Sequence, residues 1–303
     1  MNTIGAVAVS ATALVGFYKH LTNYTKNERK HMKTEIITSR SNPTIQFAAS
    51  LRDKKARKEH GMFCFEGKKL FTEAILKNVP LYAVFFTEKN QDLVQDALLH
   101  KEVSLYLVSD SVYSKLTEEK APEGVFCLAK TIDKYHNFDT IYIPVKNEGK
   151  NTPSRMMLSS LRDPGNLGTV IRAAAAFGCK ELILSDDCAD IYNPKTVRAS
   201  MGMLFDRHIH VIRDEIGTIQ ALRASGQKVY AAALHQDSLS LFDLKNPASC
   251  CFIIGNEGHG LSSDVLSACD GSVIIPMMEG TESLNASIAA SLLLYEQYRD
   301  LKH

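Results

Sequence analysis

Three short segments of this 303-residue chain gather residue types that can do chemistry. The first is Asp163-Pro164-Gly165-Asn166-Leu167-Gly168, which runs into a helical stretch from Thr169 to Phe177. Pro and Gly suit a tight turn, and Asn166 can satisfy free amides at a helix start. Arg172 lies about one turn into that helix, where a guanidinium can hold a phosphate through a bidentate fork. A capped helix with a solvated arginine is the plainer reading of the same residues. The second segment is Gly255-Asn256-Glu257-Gly258-His259-Gly260, directly after an almost wholly apolar run. Glycines after a buried strand let a ligand approach the backbone, and Glu257 places a carboxylate at the strand end. The third runs from Ile275 to Asn285 (IPMMEGTESLN) and enters a long apolar helix through Tyr298, with Ser283 and Asn285 both good capping residues. Capping accounts for either residue alone, but not for three such segments in one half of the chain.

Several chemistries are disfavoured by spacing. The second segment reads G-x-x-G-x-G, lies late in the chain and lacks a partner unit, so it is no dinucleotide fingerprint; no G-x-x-x-x-G-K-[ST] occurs. The seven cysteines include no C-x-x-C pair and are odd in number, which argues against structural zinc and against a disulfide framework. No metal is expected. Most cysteines sit in apolar surroundings and fit a reducing compartment, the cytoplasm.

The elements that must position these segments fall into two sets. From residue 34 to 130, a basic amphipathic stretch (Pro43 to Lys58) precedes a strand-like Met62 to Phe65 and a helical Lys68 to Lys77. Strand-like runs Leu81 to Phe86 and Val103 to Val108 bracket a helical Gln91 to Leu99, and Gly124 to Leu128 completes a small α/β domain. Residues 131–154 are turn-rich and read as a linker, with Ile141 to Ile143 an isolated strand candidate. From 155 to 303, six short apolar runs alternate with helical ones: Met156 to Leu161, Glu181 to Ser185, Ile209 to Ile212, Lys228 to Ala233, Cys250 to Gly255 and Ser272 to Pro276. That alternation predicts a parallel sheet with helices on both faces, whose ligands bind at the carboxyl ends of the strands.

Residues 1–33 stand apart. The apolar run Ile4 to Phe17 is too short to span a bilayer and no Lys or Arg precedes it, so an extension outside the fold is expected, with a short anchor or an organelle-targeting segment as alternatives.

Taken together, the segments resemble the SpoU/TrmH family of RNA ribose 2′-O-methyltransferases, within the SPOUT class. The family's three motifs are matched in order by DPGNLGTVIRAAAAFG (Asp163 to Gly178), FIIGNEGHGLS (Phe252 to Ser262) and IPMMEGTESLNASIAAS (Ile275 to Ser291), and a fourth match is Arg198 to Phe205. Ser39 to Pro43, the basic stretch to Lys58 and Gly61 to Gly67 resemble the substrate-binding domain of rRNA-directed members. The resemblance implies a C-terminal SPOUT domain with a deep trefoil knot, S-adenosylmethionine as cofactor, and a homodimer. It places cofactor contacts on Gly255, Ile275, Met277, Leu284 and Asn285, and catalytic or site-building roles on Asn166, Arg172, Glu257, Ser283 and Asn285. Arg172 is expected to hold an RNA phosphate or to assist deprotonation. The former is preferred, because a guanidinium is a poor base. A tRNA substrate, a base-directed methyltransferase and a non-catalytic ribosome-assembly factor on the same fold are the alternatives; the joint presence of Asn166, Arg172 and Asn285 disfavours the last two.

The whole-chain balance is 35 Lys+Arg against 34 Asp+Glu, a net charge of +1, which excludes a uniformly basic binder. Between Lys33 and Lys69, however, nine basic residues face four acidic ones. In a domain resembling an RNA-substrate module, Arg40, Arg52, Lys54, Lys55, Arg57 and Lys58 become candidate phosphate contacts, although a run such as Arg52 to Lys58 also suits a solvated helix face.

Overall fold

The computed structural model describes residues 33–99, 101–132, 154–179, 181–234, 237–256, 258–280 and 283–302. The extension expected over the first residues, the strand candidate Ile141 to Ile143 and nearly all of the expected linker lie outside them. The chain divides into two compact units, Met1–Thr131 and Ile132–His303.

In chain order the first unit contains β1 (Thr34–Ile37), α1 (Pro43–Ser50), α2 (Lys54–His60), β2 (Met62–Glu66), α3 (Lys68–Leu76), β3 (Leu81–Phe86), α4 (Gln91–Leu98), β4 (Ser104–Val108), α5 (Asp110–Tyr113) and β5 (Val125–Lys130). Its sheet has the order β1-β4-β3-β5-β2. The first three strands run parallel, and β5 pairs antiparallel with both β3 and β2. Phe85, Phe126 and Leu128 of the sheet pack with Ile45 and Leu51 at α1 and with Tyr113 of α5. The basic stretch Pro43 to Lys58 forms two helices rather than one. The first ends at Ser50 with Leu51 as its C-cap, and Asp53 takes extended backbone (φ -81°, ψ 134°) with its carboxylate accepting from the Lys55 amide at 2.7 Å, so it caps the second. Gly61, at φ 59°, closes α2 in the left-handed region that a glycine enters without strain.

The second unit contains β6 (Arg155–Leu158), α6 (Pro164–Ala176), β7 (Glu181–Ser185), α7 (Pro194–Ala199), β8 (His208–Ile212), α8 (Glu215–Ala224), β9 (Val229–Ala232), β10 (Leu239–Ser240), β11 (Cys251–Ile254), α9 (Ser263–Ala268), β12 (Gly271–Ile274) and α10 (Ala286–Lys302). Its seven-stranded sheet has the order β10-β12-β9-β11-β6-β7-β8, and every pairing is parallel. The six strands expected from sequence are all present. The seventh, β10, is two residues long and leaves no periodicity to read.

Side chains alternate across a strand, so Met157, Ile183 and Ile253 share one face, where they pack with Ile219, Leu222 and Val265 of α8 and α9. Met156 and Phe252 point the other way and are equally buried, on the side where α6 and α10 pack together and α10 meets β11. At the amino ends of the strands the buried Arg155 guanidinium pairs with Glu181 and donates to Gln227 Oε1 at 2.7 Å. Gln297 Nε2 donates to the carbonyls of Arg155 (3.3 Å) and Cys250 (2.8 Å), tying α10 across β6 and β11.

Candidate active site

The three chemistry-bearing segments all follow carboxyl ends of this sheet, after β6, β11 and β12. Segments after β9, β11 and β12 enclose a cavity of about 380 Å³, within the size range of small-molecule sites. Gly255, Ile275, Met277, Ser283 and Leu284 are among its lining residues, and much of the remaining wall is apolar, from Ala232 and Leu234 to Ile254 and Val273. Asn285 is not a lining residue.

The loop after β11 is closed on itself. Asn256 and Gly260 exchange backbone hydrogen bonds of 3.2 and 2.9 Å, and a Cβ at Gly255 would lie 2.6 Å from the Gly260 carbonyl group. Only glycine fits there. The Asn256 side chain accepts from the Gly258 amide at 2.8 Å and donates to the Ser160 carbonyl at 2.9 Å. Glu257, expected as a site residue, lies outside the described residues.

Ser160 joins two of the segments. It sits at φ 55°, a region a non-glycine residue enters only when its surroundings hold it. Its amide donates to Ser185 Oγ at 2.8 Å, and its hydroxyl donates to Asp187 Oδ2 at 2.6 Å. Asp187 also accepts from Ser185 Oγ (2.7 Å) and from Arg162 (3.2 Å). Burial works against the Asp187 carboxylate, yet bonds from Ser160, Ser185 and Arg162 hold its pKa below the ordinary value. Asn256, Ser160 and Asp187 were not read from the sequence as site residues. The asparagine two positions before a glycine was the one local signal, since its side chain can close an Asx turn.

The first segment differs from expectation in its register. α6 starts at Pro164, so Asp163 and not Asn166 is the cap, its carboxylate accepting from the Asn166 amide at 2.8 Å. That bond chiefly, together with Lys195 Nζ at 3.1 Å, holds the Asp163 carboxyl below its usual range. Asp163 lies about one turn earlier, where its carboxylate oxygen reaches the exposed amides directly. Asn166 already belongs to the first turn of α6, and its Oδ1 accepts from Asn285 Nδ2 at 3.2 Å. Asn285 itself caps α10, its Oδ1 accepting from the Ser287 amide at 2.9 Å. Arg172 is exposed on α6, and no described residue pairs with its guanidinium. α6 lies close against α7, because a Cβ at Gly168 would sit 2.5 Å from the Thr196 carbonyl oxygen.

Of the cationic candidates in the first unit, Arg40, Lys54, Lys55 and Lys58 are exposed, and Arg52 pairs with Glu118 at 3.3 Å. Arg57 must be reassigned. It is 3% exposed, and its Nη1 donates to the carbonyls of Leu51 (3.0 Å) and Arg52 (2.6 Å), so it stitches the break between α1 and α2 instead of facing RNA. Among the described residues no three His, Cys, Asp or Glu side chains cluster as a metal site would require, and no helix is long and apolar enough to cross a membrane.

Comparison with known proteins accords with this arrangement. Residues 153–295 match the SpoU rRNA Methylase family, and residues 42–127 match the MRM3-like substrate binding domain. The chain is 30% identical to the 23S rRNA (guanosine(2553)-2'-O)-methyltransferase of Bacillus subtilis, over 86% of this chain and 97% of that one. It is 25% identical to the mitochondrial rRNA methyltransferase 3 of Homo sapiens, over 83% and 71% of the two chains. The AdoMet-bound rRNA methyltransferase of Sinorhizobium meliloti superposes with a TM-score of 0.77 at 28% identity, covering 88% of this chain and 98% of that one. With the motifs, the parallel seven-stranded sheet and near full-length relatives in agreement, the chain belongs to the SpoU rRNA methylase family.

Proposed function

We propose that this protein transfers a methyl group from S-adenosylmethionine to a ribose 2′-hydroxyl of ribosomal RNA. One observation carries the reading: Ser283 and Leu284 line the cavity, and the next residue, Asn285, holds Asn166 at the start of the helix that bears Arg172. The cavity suits the cofactor, because its wall is mainly apolar and Gly255 lets backbone form a close cradle. Gly255, Ile275, Met277 and Leu284 would hold it. When bound, S-adenosylmethionine supplies an electrophilic methyl group on a sulfonium.

The chain's residues then have an alignment task. In-line displacement requires a hydroxyl fixed against the methyl carbon, and positioning of that kind lowers the barrier without any new bond to protein. Asn166, braced by Asn285, orients the ribose, and Arg172 forks onto the adjoining phosphate. Ser283 and Glu257 complete the site as the resemblance implies. We assign residues 34–130 to the RNA-reading module and 155–303 to the transferase.

Two structural expectations belong to the same proposal. A homodimer is supported by Ile288 (52% exposed), Leu292 (39%) and Tyr295 (46%), which form an apolar stripe along α10 at helical spacing. A knot is supported by the pairing of late strands between earlier ones, β11 between β9 and β6 and β12 between β9 and β10. A reducing compartment, the cytoplasm or an organelle interior, fits seven buried free cysteines.

Incubating the purified protein with labelled S-adenosylmethionine and total RNA, then mapping the product, tests the function. Label on a ribose oxygen is expected. Label on a base, on transfer RNA alone, or on no RNA would overturn the reading.

A further inference from the structure

The loop after β11 walls one side of the cofactor cavity, and it is braced from the loops after β6 and β7. These three strands are neighbours in the order β11-β6-β7, and their register sets Ile254 opposite Leu158 and Leu158 opposite Leu184. Their carboxyl ends are therefore level. The Ser159 amide still extends the parallel ladder, donating to the Ile254 carbonyl at 2.8 Å. One residue later the chain turns: Ser160 takes φ 55°, and its carbonyl accepts from Asn256 Nδ2 at 2.9 Å. Asn256, with Gly255 and Gly260, lines the cavity.

A residue with a Cβ enters the left-handed region at a cost, so its surroundings must hold Ser160 there. The hold comes from Asp187, which grips Ser160 twice. Oδ2 accepts from the Ser160 hydroxyl at 2.6 Å; Oδ1 accepts at 2.7 Å from Ser185 Oγ, which in turn accepts from the Ser160 amide at 2.8 Å. Hydroxyl bonds to an ionised carboxylate are stronger than neutral ones. Arg162 reaches the same Oδ2 at 3.2 Å, but the two side chains are 70% and 43% exposed, so water screens this pair and it adds little to the grip. At the other end of the relay, Asn256 commits both side-chain groups, Nδ2 to the Ser160 carbonyl and Oδ1 to the Gly258 amide at 2.8 Å. Turning the Ser160 carbonyl away would release Asn256 and, with it, the turn that Asn256 and Gly260 close.

We infer that Asp187 and Ser160 are positioning residues for the S-adenosylmethionine site: the carboxylate locks Ser160 in its left-handed conformation, and the Ser160 carbonyl, through Asn256, sets the loop against which the cofactor binds. Neither Asp187 nor Ser160 lines the cavity, so both act through Asn256. The inference rests on the cofactor reading above. It gives the loop after β7, which carries none of the three chemistry-bearing segments, a part in cofactor affinity. Serine and aspartate together achieve by side-chain bonds what a glycine achieves by lacking a Cβ.

That equivalence supplies the test, made on the full chain. Ser160→Ala and Ser160→Gly both delete the hydroxyl, but only glycine takes φ 55° unaided. In calorimetric titration, Ser160→Ala is expected to bind S-adenosylmethionine about fivefold more weakly or worse, and Ser160→Gly to stay within about twofold of wild type. Asp187→Ala should match Ser160→Ala, and adding Ser160→Gly to Asp187→Ala should restore affinity to within about twofold. Hydrogen exchange at the Gly258 and Gly260 amides, followed by NMR in the cofactor-free protein, should quicken in the two weakened variants and slow again in the double variant. Equal affinities for Ser160→Ala and Ser160→Gly would overturn the relay, since a lost hydrogen bond alone affects both alike. Absence of recovery in the double variant would overturn it too. Failure of the cofactor reading has a different signature: the exchange pattern holds across the variants, yet wild-type protein binds no S-adenosylmethionine.

Discussion

The side-chain amide of Asn285 donates to Asn166 Oδ1 at 3.2 Å, although 119 residues separate the two. The same Asn285 carbonyl oxygen accepts from the Ser287 amide and hydroxyl, at 2.9 and 2.6 Å, and so caps α10. One side chain therefore starts a helix that Gln297 anchors at its far end and also sets the rotamer of a site residue on α6. A substitution there mixes stability with positioning, and the two can be separated. Asn285→Ala removes the cap and the brace, so a loss of about 1 kcal/mol in stability is expected together with a loss of activity. Asn285→Asp keeps the accepting oxygen but has no amide to give Asn166. Thermal denaturation near that of wild type with kcat down at least tenfold is the expected pair of results; full activity in the Asp variant would remove the brace from the mechanism.

Arg172 is exposed on α6 and is not among the residues that line the cavity. Arg172→Ala is expected to lower methyl transfer by at least about 100-fold, in the range for loss of a positioned catalytic group, with S-adenosylmethionine affinity retained. Arg172→Lys should recover little, since an ammonium cannot form the planar fork. Calorimetric titration with the cofactor beside single-turnover transfer checks both. Loss of cofactor affinity in step with activity would move Arg172 to the cofactor site.

Much of this was legible before the fold was known, for a physical reason in each case. Parallel strands buried on both faces leave continuous apolar runs, so Glu181–Ser185 and its neighbours are plain in the sequence. Glycines at close backbone approaches, Gly255 and Gly168, stand out because no other residue fits. The illegible parts depend on residues distant in the chain. Asp163 and Asn166 are equally plausible caps by type, and the 3.1 Å contact with Lys195 and the brace from Asn285 settle their roles only in three dimensions. Arg57 looks like its neighbours Lys55 and Lys58 until the break at Asp53 turns it inward.

Gly255 allows a sharper test of the cavity than any polar residue. A methyl group there would lie 2.6 Å from the Gly260 carbonyl atoms and 2.9 Å from Leu261 Cγ, so backbone must shift. At Gly258 the nearest atom is Asn256 Oδ1 at 3.4 Å, an ordinary contact. Gly255→Ala is expected to weaken S-adenosylmethionine binding at least tenfold, whereas Gly258→Ala changes it little. Equal affinities for the two variants would mean that the Gly255 approach does not shape the site.

Asp187 gives a dependence on pH with a definite sign. Its carboxyl pKa is lowered in the folded protein, so the folded state favours the ionised form more than the unfolded chain does. The resulting stabilisation is present above the unfolded value of about 3.9 and is lost as pH falls through the lower, folded value. Asp187→Asn removes it. Urea midpoints of wild type and variant are expected to differ near neutral pH and to converge below about pH 4. A gap that stays constant across that range would assign the effect to packing of the amide rather than to the charge.

The cysteines make the last test, because burial should leave them chemically silent. All seven are buried. Burial raises the thiol pKa of Cys64 and Cys179 to about 12 and of Cys250 and Cys269 to about 11, and pushes Cys127, Cys188 and Cys251 up as well. The thiolate is the reactive form, so both access and ionisation oppose modification. At pH 8 a disulfide-exchange reagent is expected to leave the native protein unmodified on a timescale of minutes and to titrate seven thiols once the chain is unfolded in guanidinium. The rate in the native state would then follow opening of the fold, rising with sub-denaturing guanidinium. Prompt reaction of one thiol without denaturant would show a locally open segment around it, and identifying that cysteine by mass would say which part of the sheet is loose.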